Sequence, residues 1–147
     1  MISIFVKSFD ELSKSELYEI LRLRAEVFIV EQDCIYQDID NKDQKAFHVI
    51  LKKFDKIIGY TRVFKAGDYF LEASIGRVVI LEKERNKTYG SKLMKASIEA
   101  VYNRTKDKKI KISAQIYLKE FYNSLGFVET GNDYLEDGIP HILMIKE

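Results

Sequence analysis

At 147 residues the chain has the length of one domain, enough to bury roughly two-thirds of its unfolded surface around a single core. Its 24 basic and 23 acidic residues leave a net charge of +1, which argues against a dedicated nucleic-acid binder, since such proteins carry a strong basic excess. One cysteine, Cys34, excludes an internal disulfide and suits a reducing compartment; no apolar run approaches the ~20 residues of a membrane span, and the N-terminus lacks the form of a signal peptide, so a cytoplasmic protein with no membrane partner is expected.

Ile2 to Val6 is apolar and β-branched and predicts a short first strand. Ser13-x-x-Glu16 is a capping-box pattern, in which each side chain satisfies the other residue's free N–H. The helix that follows carries Leu17, Ile20, Leu21, Val27 and Phe28 at helical spacing. Arg24 falls inside this stripe and reads as an inward structural ion pair in preference to a ligand contact. Gln32 to Lys45 is polar and irregular. Asp38, Asp40, Asn41 and Asp43 invite a calcium reading that the spacing refutes: counted from Asp38, the sixth and twelfth positions of an EF-hand loop are Asp43 and Val49, not glycine and glutamate. The acidic loop is then a solvated connection or a cleft wall that attracts cationic substrates.

From Phe47 the pattern turns to β. FHVILKK and KIIGYTRVFK flank a tight turn at Phe54-Asp55, and Ala66-Gly67-Asp68 precedes YFLEASIGRVVI, which together predict a three-stranded antiparallel meander. Its third strand, Tyr69–Ile80, loses alternation near Ser74-Ile75-Gly76, where a β-bulge is predicted. Beyond it, Arg85-Asn86-Lys87-Thr88-Tyr89-Gly90 leads into a helix carrying Leu93, Met94, Ile98 and Val101. A strand-to-helix junction collects unpaired N–H groups at the positive end of a helix dipole, a setting for a phosphate. On these residues alone an ordinary β–turn–helix connection with exposed charges is the safer reading.

Lys106, Lys108 and Lys109 form a solvated turn before a parallel strand, Ile110–Ile116, reached by a right-handed crossover. A short helix follows with Leu118, Phe121, Tyr122 and Leu125 on one face and Gly126 at the place of a left-handed cap. Phe127-Val128 opens another strand, and Asp137-Gly138 turns into HILMIK. The predicted order is β-α-β-β-β-α-β-α-β-β, an α/β (α+β) chain with a mixed, mostly antiparallel sheet flanked by helices. Two histidines and one cysteine offer no metal-ligand spacing.

This order, with a bulged strand feeding Arg85-x-x-Thr88-x-Gly90, resembles the GNAT superfamily of acyl-CoA-dependent N-acyltransferases, whose phosphate loop reads Arg or Gln, two residues, Gly, one residue, Gly or Ala. LRLRAEVFIVEQ (Leu21–Gln32), IGRVVI, AQIYLKEFYNSLGF (Ala114–Phe127) and YLEDGIPHILM (Tyr134–Met144) are similar to the ElaA-like branch of that superfamily. The resemblance implies a single GNAT-like domain over residues 1–147, in which strands Tyr69–Ile80 and Ile110–Ile116 run parallel and splay at their C-terminal ends. Acetyl-CoA, the acyl-donor substrate, would lie in that gap, on backbone groups of Val78, Val79 and Ile80. Its pyrophosphate would sit on the N–H groups of Lys87, Thr88, Tyr89, Gly90 and Ser91, with Asn86 in the same loop and Arg85 adding charge. Thr88 departs from the pattern, standing where the first loop glycine belongs. Its β-carbon is tolerable with helical dihedrals and strained if φ is positive.

The resemblance also makes Tyr122 the general acid for the leaving thiolate, although its periodicity alone suits a core aromatic with a satisfied hydroxyl. Glu72 lies where such enzymes sometimes draw a base or an ordered water, and Glu26, Glu31 and His48 are further base candidates near the expected cleft. Glu31, His48 and His141 are the expected substrate contacts. His141, after Pro140 and close to Glu136 and Asp137, forms a polar substrate-facing wall or simply shapes the hairpin. The expected acceptor is a small-molecule or peptide amine, with the acidic loop leaning toward a cationic one. The C-terminal hairpin offers an edge that could be buried in a homodimer, or be covered or charged instead. Two functions stay open: an N-acetyltransferase acting on a primary amine, favoured by Tyr122, and a non-catalytic domain that binds CoA or a protein partner, favoured by Thr88.

Overall fold

The structure, a computed structural model, describes all 147 residues. In chain order it contains β1 (Ile2–Ser8), α1 (Lys14–Arg24), β2 (Phe47–Lys53), β3 (Lys56–Phe64), β4 (Ala73–Ile80), α2 (Tyr89–Ala100), β5 (Ile110–Gln115), α3 (Lys119–Ser124), β6 (Val128–Glu136) and β7 (Ile139–Lys146). This is the predicted order. The strands form one sheet, β1-β2-β3-β4-β5-β7-β6, and every neighbouring pair is antiparallel except β4 and β5.

Successive side chains on a strand point to opposite faces, and β3 shows both coverings. Thr61 faces α2, where its hydroxyl donates to Ser97 Oγ at 2.6 Å while Ser97 donates to the Leu93 carbonyl at 2.8 Å. Tyr60 faces the other way, beneath the Arg24 guanidinium of α1. With both faces covered, every residue of β3 after Lys56 is buried.

The capping box opens α1 as expected: Ser13 Oγ accepts from the Glu16 N–H at 3.0 Å, and Glu16 Oε1 accepts from the Ser13 N–H at 2.8 Å. The helix does not run on regularly. Ala25–Glu31 is a π-helical stretch whose exit bonds, Gln32 N–H to the Val27 carbonyl and Cys34 N–H to the Ile29 carbonyl, span five residues. Val27 and Phe28 stay buried, and Glu31 comes out at the strand-to-helix junction.

Arg24 is fully buried, donating to Asp38 Oδ2 at 2.9 Å and Asp43 Oδ1 at 2.7 Å. Arg62 donates to Asp40 Oδ1 at 2.8 Å and Asp43 Oδ1 at 3.0 Å, and Arg77 Nε lies 2.8 Å from Asp38 Oδ1. The acidic loop is therefore neither a solvated connection nor a lure for cationic substrates. Its three carboxylates meet three guanidinium groups inside the fold, which is how the charges can be buried at all. Burial alone would raise the Asp40 carboxyl, but hydrogen bonds and charge from Arg62, with Arg77 beyond, outweigh it and bring it down to about 2.

The same cluster relocates the bulge. Tyr60 pairs with Val79 and Arg62 with Gly76, so Arg77 and Val78 together oppose Thr61; the extra residue falls there, not at Ser74–Gly76. Arg77 takes φ +49°, a left-handed conformation that costs a non-glycine residue roughly 1–2 kcal/mol, and its side chain is anchored on Asp38 and Asp40. The preceding Tyr69–Glu72 is not strand: Tyr69 stacks on Phe64 and meets Phe70 edge-on, folding that segment back before β4 begins at Ala73.

Candidate functional site

The parallel pairing of β4 and β5 is confined to Ala73–Ile110 and Ser74–Lys111. Beyond it β4 stays bonded to β3 and β5 to β7, so each strand carries one unpaired edge into the gap between them. A cavity of about 530 Å³ fills this opening. Val78, Val79 and Ile80 form one wall and Ser113 and Gln115 the other.

At one end lies the junction with α2. The left-handed residue of this loop is Asn86, at φ +62°, while Thr88 sits at φ −81°, ψ 10°, so its β-carbon is accommodated without strain. The first helical bond runs from the Lys92 N–H to the Thr88 carbonyl at 3.1 Å, which leaves the N–H groups of Tyr89, Gly90 and Ser91 without intrahelical partners. A β-carbon on Gly90 would come no closer than 3.8 Å to a neighbour, the Phe121 ring, so the protein itself leaves space over this backbone. Lys87 is engaged by Glu84 at 2.9 Å. Arg85 is also engaged: its Nε donates to the Ile80 carbonyl at 2.9 Å, and its two terminal nitrogens fork onto Glu31. Ile80 and Arg85, expected to serve a ligand separately, hold each other.

In the middle stands Tyr122. The end of α3 fixes it: Phe127 N–H donates to the Tyr122 carbonyl at 3.1 Å and Gly126 N–H to the Asn123 carbonyl at 3.0 Å, with Gly126 at φ +99° as the sequence predicts. Its ring packs against Phe121 and Phe127. The ring is buried yet lines the cavity, and its hydroxyl makes no hydrogen bond within the protein. Burial, with Tyr117 adding to it, pushes the phenol above its ordinary range, so the proton stays on at neutral pH.

At the far end, His141 Nδ1 lies 2.7 Å from the Ile139 carbonyl, and Nε2 is 3.6 Å from Glu136 Oε2. Ser113 Oγ donates to Glu136 Oε1 at 3.2 Å and bonds the Tyr134 hydroxyl. Cys34 Sγ donates to the Asp137 carbonyl at 3.1 Å, tying the loop after the first helix to the hairpin turn.

The cavity thus brings together Val78, Val79, Ile80, Arg85, Asn86, Lys87, Gly90, Tyr122, Glu31 and His141. The side chains of Thr88, Tyr89 and Ser91 lie outside its wall; only their backbone belongs to the junction. Glu72 stands before β4, at the closed end of the strand pair, with Lys111 at 3.8 Å, and does not reach the cavity. His48 is fully buried, its Nε2 donating to the Asp43 carbonyl at 3.0 Å and its Nδ1 accepting from Tyr60, so it is a structural residue and not a substrate contact. Glu26 is on the outside, paired with Arg22. Glu31 is claimed by Arg85. Ser113 and Gln115 were legible only as polar residues alternating with buried Ile112 and Ala114 in a central strand, and nothing in the sequence points to Cys34 as part of this wall.

Residues 10–147 match the family model of the acetyltransferase (GNAT) domain. The chain is 42% identical over 140 residues to the protein ElaA of Escherichia coli strain K12, a match covering 94% of this chain and 92% of that protein. The crystal structure of Escherichia coli ElaA superposes with a TM-score of 0.93 at 40% identity over 100% of both chains. An acyl-CoA N-acyltransferase from Pseudomonas aeruginosa superposes with the same TM-score, 0.93, at 34% identity, again over 100% of both chains. The chain belongs to the GNAT acetyltransferase family, on the branch that holds ElaA.

Proposed function

We propose that this GNAT protein transfers an acetyl group from acetyl-CoA to a primary amine by direct attack, with Tyr122 as general acid toward the leaving thiolate. The observation that carries this reading is the partnerless Tyr122 hydroxyl, held in the same cavity as the open edge of β4 and the N-terminal turn of α2. The residues fit the donor: three free N–H groups at a helix N-terminus attract a pyrophosphate, and the bare Gly90 backbone admits its close approach. The unpaired edge at Val78 offers hydrogen bonds to an extended amide-bearing arm. A positioned acid contributes ~10²–10⁴ in rate.

The acceptor is an amine small enough to enter beside His141 and Glu136. The carboxylates of the acidic loop, expected to draw a cation, are neutralised, whereas Glu136 is half-exposed on the cavity wall. A lysine-like amine is only about one part in a few thousand unprotonated at pH 7, so proton removal at this end matters.

A non-catalytic, CoA-binding role is the second reading, and the pairing of Arg85 with Glu31 favours it, because that cation is already satisfied. Calorimetric titration with acetyl-CoA, followed by thiol release with a panel of amines, separates the two. Binding with turnover on at least one amine is expected; binding without turnover supports the second reading, and absence of binding overturns both.

A further inference from the structure

The hairpin end of the cavity has a fixed proton arrangement. A carbonyl oxygen only accepts, so the ring nitrogen 2.7 Å from the Ile139 carbonyl, Nδ1 of His141, carries the hydrogen. The neutral ring must then present a bare Nε2. That lone pair faces Glu136 Oε2 at 3.6 Å, too far for a hydrogen bond and wrong in kind, since both groups are acceptors. The ring is buried, stacked on Tyr134, and lines the cavity with Tyr122.

We infer that His141 is the general base of the transfer, taking the amine proton on Nε2, and that Glu136 is a positioning residue that stabilises the imidazolium once formed. This assignment rests on the transferase reading above. As the amine nitrogen bonds to the thioester carbonyl carbon it becomes strongly acidic; one of its protons passes to Nε2, the C–S bond breaks, and the sulfur takes the Tyr122 proton. Afterwards His141 releases its proton to solvent and the tyrosinate regains one, so each turnover exchanges an amine N–H for a thiol S–H.

The groups facing the ring fit that task. From β6 come the Glu136 carboxylate and the Tyr134 phenol, the latter bonded to Ser113. From β5, Gln115 is the register partner of His141 and is uncharged. Across the cavity the cation Arg77 is bound to Asp38 and Asp40. Asp137, next in the hairpin turn, lines the same cavity, but the carboxylate within 4 Å of Nε2 is that of Glu136, and its contact with His141 changes from lone-pair avoidance to attraction at the moment of proton uptake.

The test is the pH profile of kcat/KM with a lysine-like amine. The free-amine fraction gives a slope of one on a log scale, and loss of the neutral His141 base adds a break to a steeper slope on the acid side. His141→Gln should remove that break, lower activity at pH 7.5 by about 10²–10³-fold and leave acetyl-CoA affinity within about twofold. Glu136→Gln should move the break to lower pH. A break unchanged in His141→Gln, or a loss below threefold, overturns the assignment. A wild-type chain that binds acetyl-CoA but releases no thiol with any amine of the panel overturns the transferase reading instead. Nitrogen-15 shifts of the His141 ring, read without substrate, still decide the proton arrangement in that event: Nδ1–H is expected, and Nε2–H overturns it.

Discussion

The Arg85 guanidinium forks onto the Glu31 carboxylate 54 residues away while its Nε holds the Ile80 carbonyl at 2.9 Å. One side chain therefore joins the π-helical end of the first helix, the last residue of β4 and the loop before α2. Glu31 competes with any anion for this cation and adds a negative charge close to the phosphate end. Glu31→Gln is expected to tighten acetyl-CoA binding about two- to fivefold, the range of an exposed ion pair, measured by calorimetry. Weaker binding would mean that Glu31 aims Arg85 at the donor.

Gly90 separates stability from binding. Its φ is negative and its surroundings are open, so alanine fits and gains a few tenths to about 1 kcal/mol from the lower entropy of the unfolded chain and better helix propensity. The same methyl group stands over the N–H groups proposed to take the pyrophosphate. Gly90→Ala should raise the melting temperature and weaken acetyl-CoA at least about tenfold. A variant that is more stable and binds as before would move the phosphate elsewhere.

Arg24 holds two carboxylates that are largely shut off from water. Arg24→Met is expected to cost about 3–5 kcal/mol in urea unfolding, because Asp38 and Asp43 are left partly uncompensated in the interior.

Acid should destabilise the protein in two stages. Burial keeps His48 neutral and its pKa below the ordinary 6.5, so the unfolded chain takes up that proton first and stability declines as pH falls below about 6.5. Asp40, depressed to about 2, contributes stability that is present above about pH 4 and lost between there and about 2. Denaturation midpoints measured across this range should fall in both windows, and His48→Gln, if it folds, should flatten the first.

Local patterns carried the element order. The Ser13–Glu16 box, the Gly126 cap and the Asp137-Gly138 turn, both residues at positive φ, each depend on chemistry within a few residues. The bulge did not follow local rules. Gly76 broke the alternation, but the left-handed residue is Arg77, chosen by a tether to a loop 39 residues upstream. The fate of the acidic loop, of His48 and of Glu72 likewise turns on partners distant in sequence, and charge patterning alone cannot distinguish a carboxylate facing solvent from one facing a buried arginine. Tyr122 shows the opposite limit: its periodicity said core, and it is core, yet its hydroxyl opens on the cavity.

That hydroxyl offers the most direct test. Tyr122→Phe removes one oxygen and leaves the ring packing against Phe121 and Phe127 in place. With a responsive amine in hand, acetyl-CoA affinity by calorimetry and turnover by thiol release should part company, affinity holding within about twofold while turnover falls about 10²–10⁴-fold. Equal losses in both, or no loss in turnover, would contradict the assignment of Tyr122 as the acid.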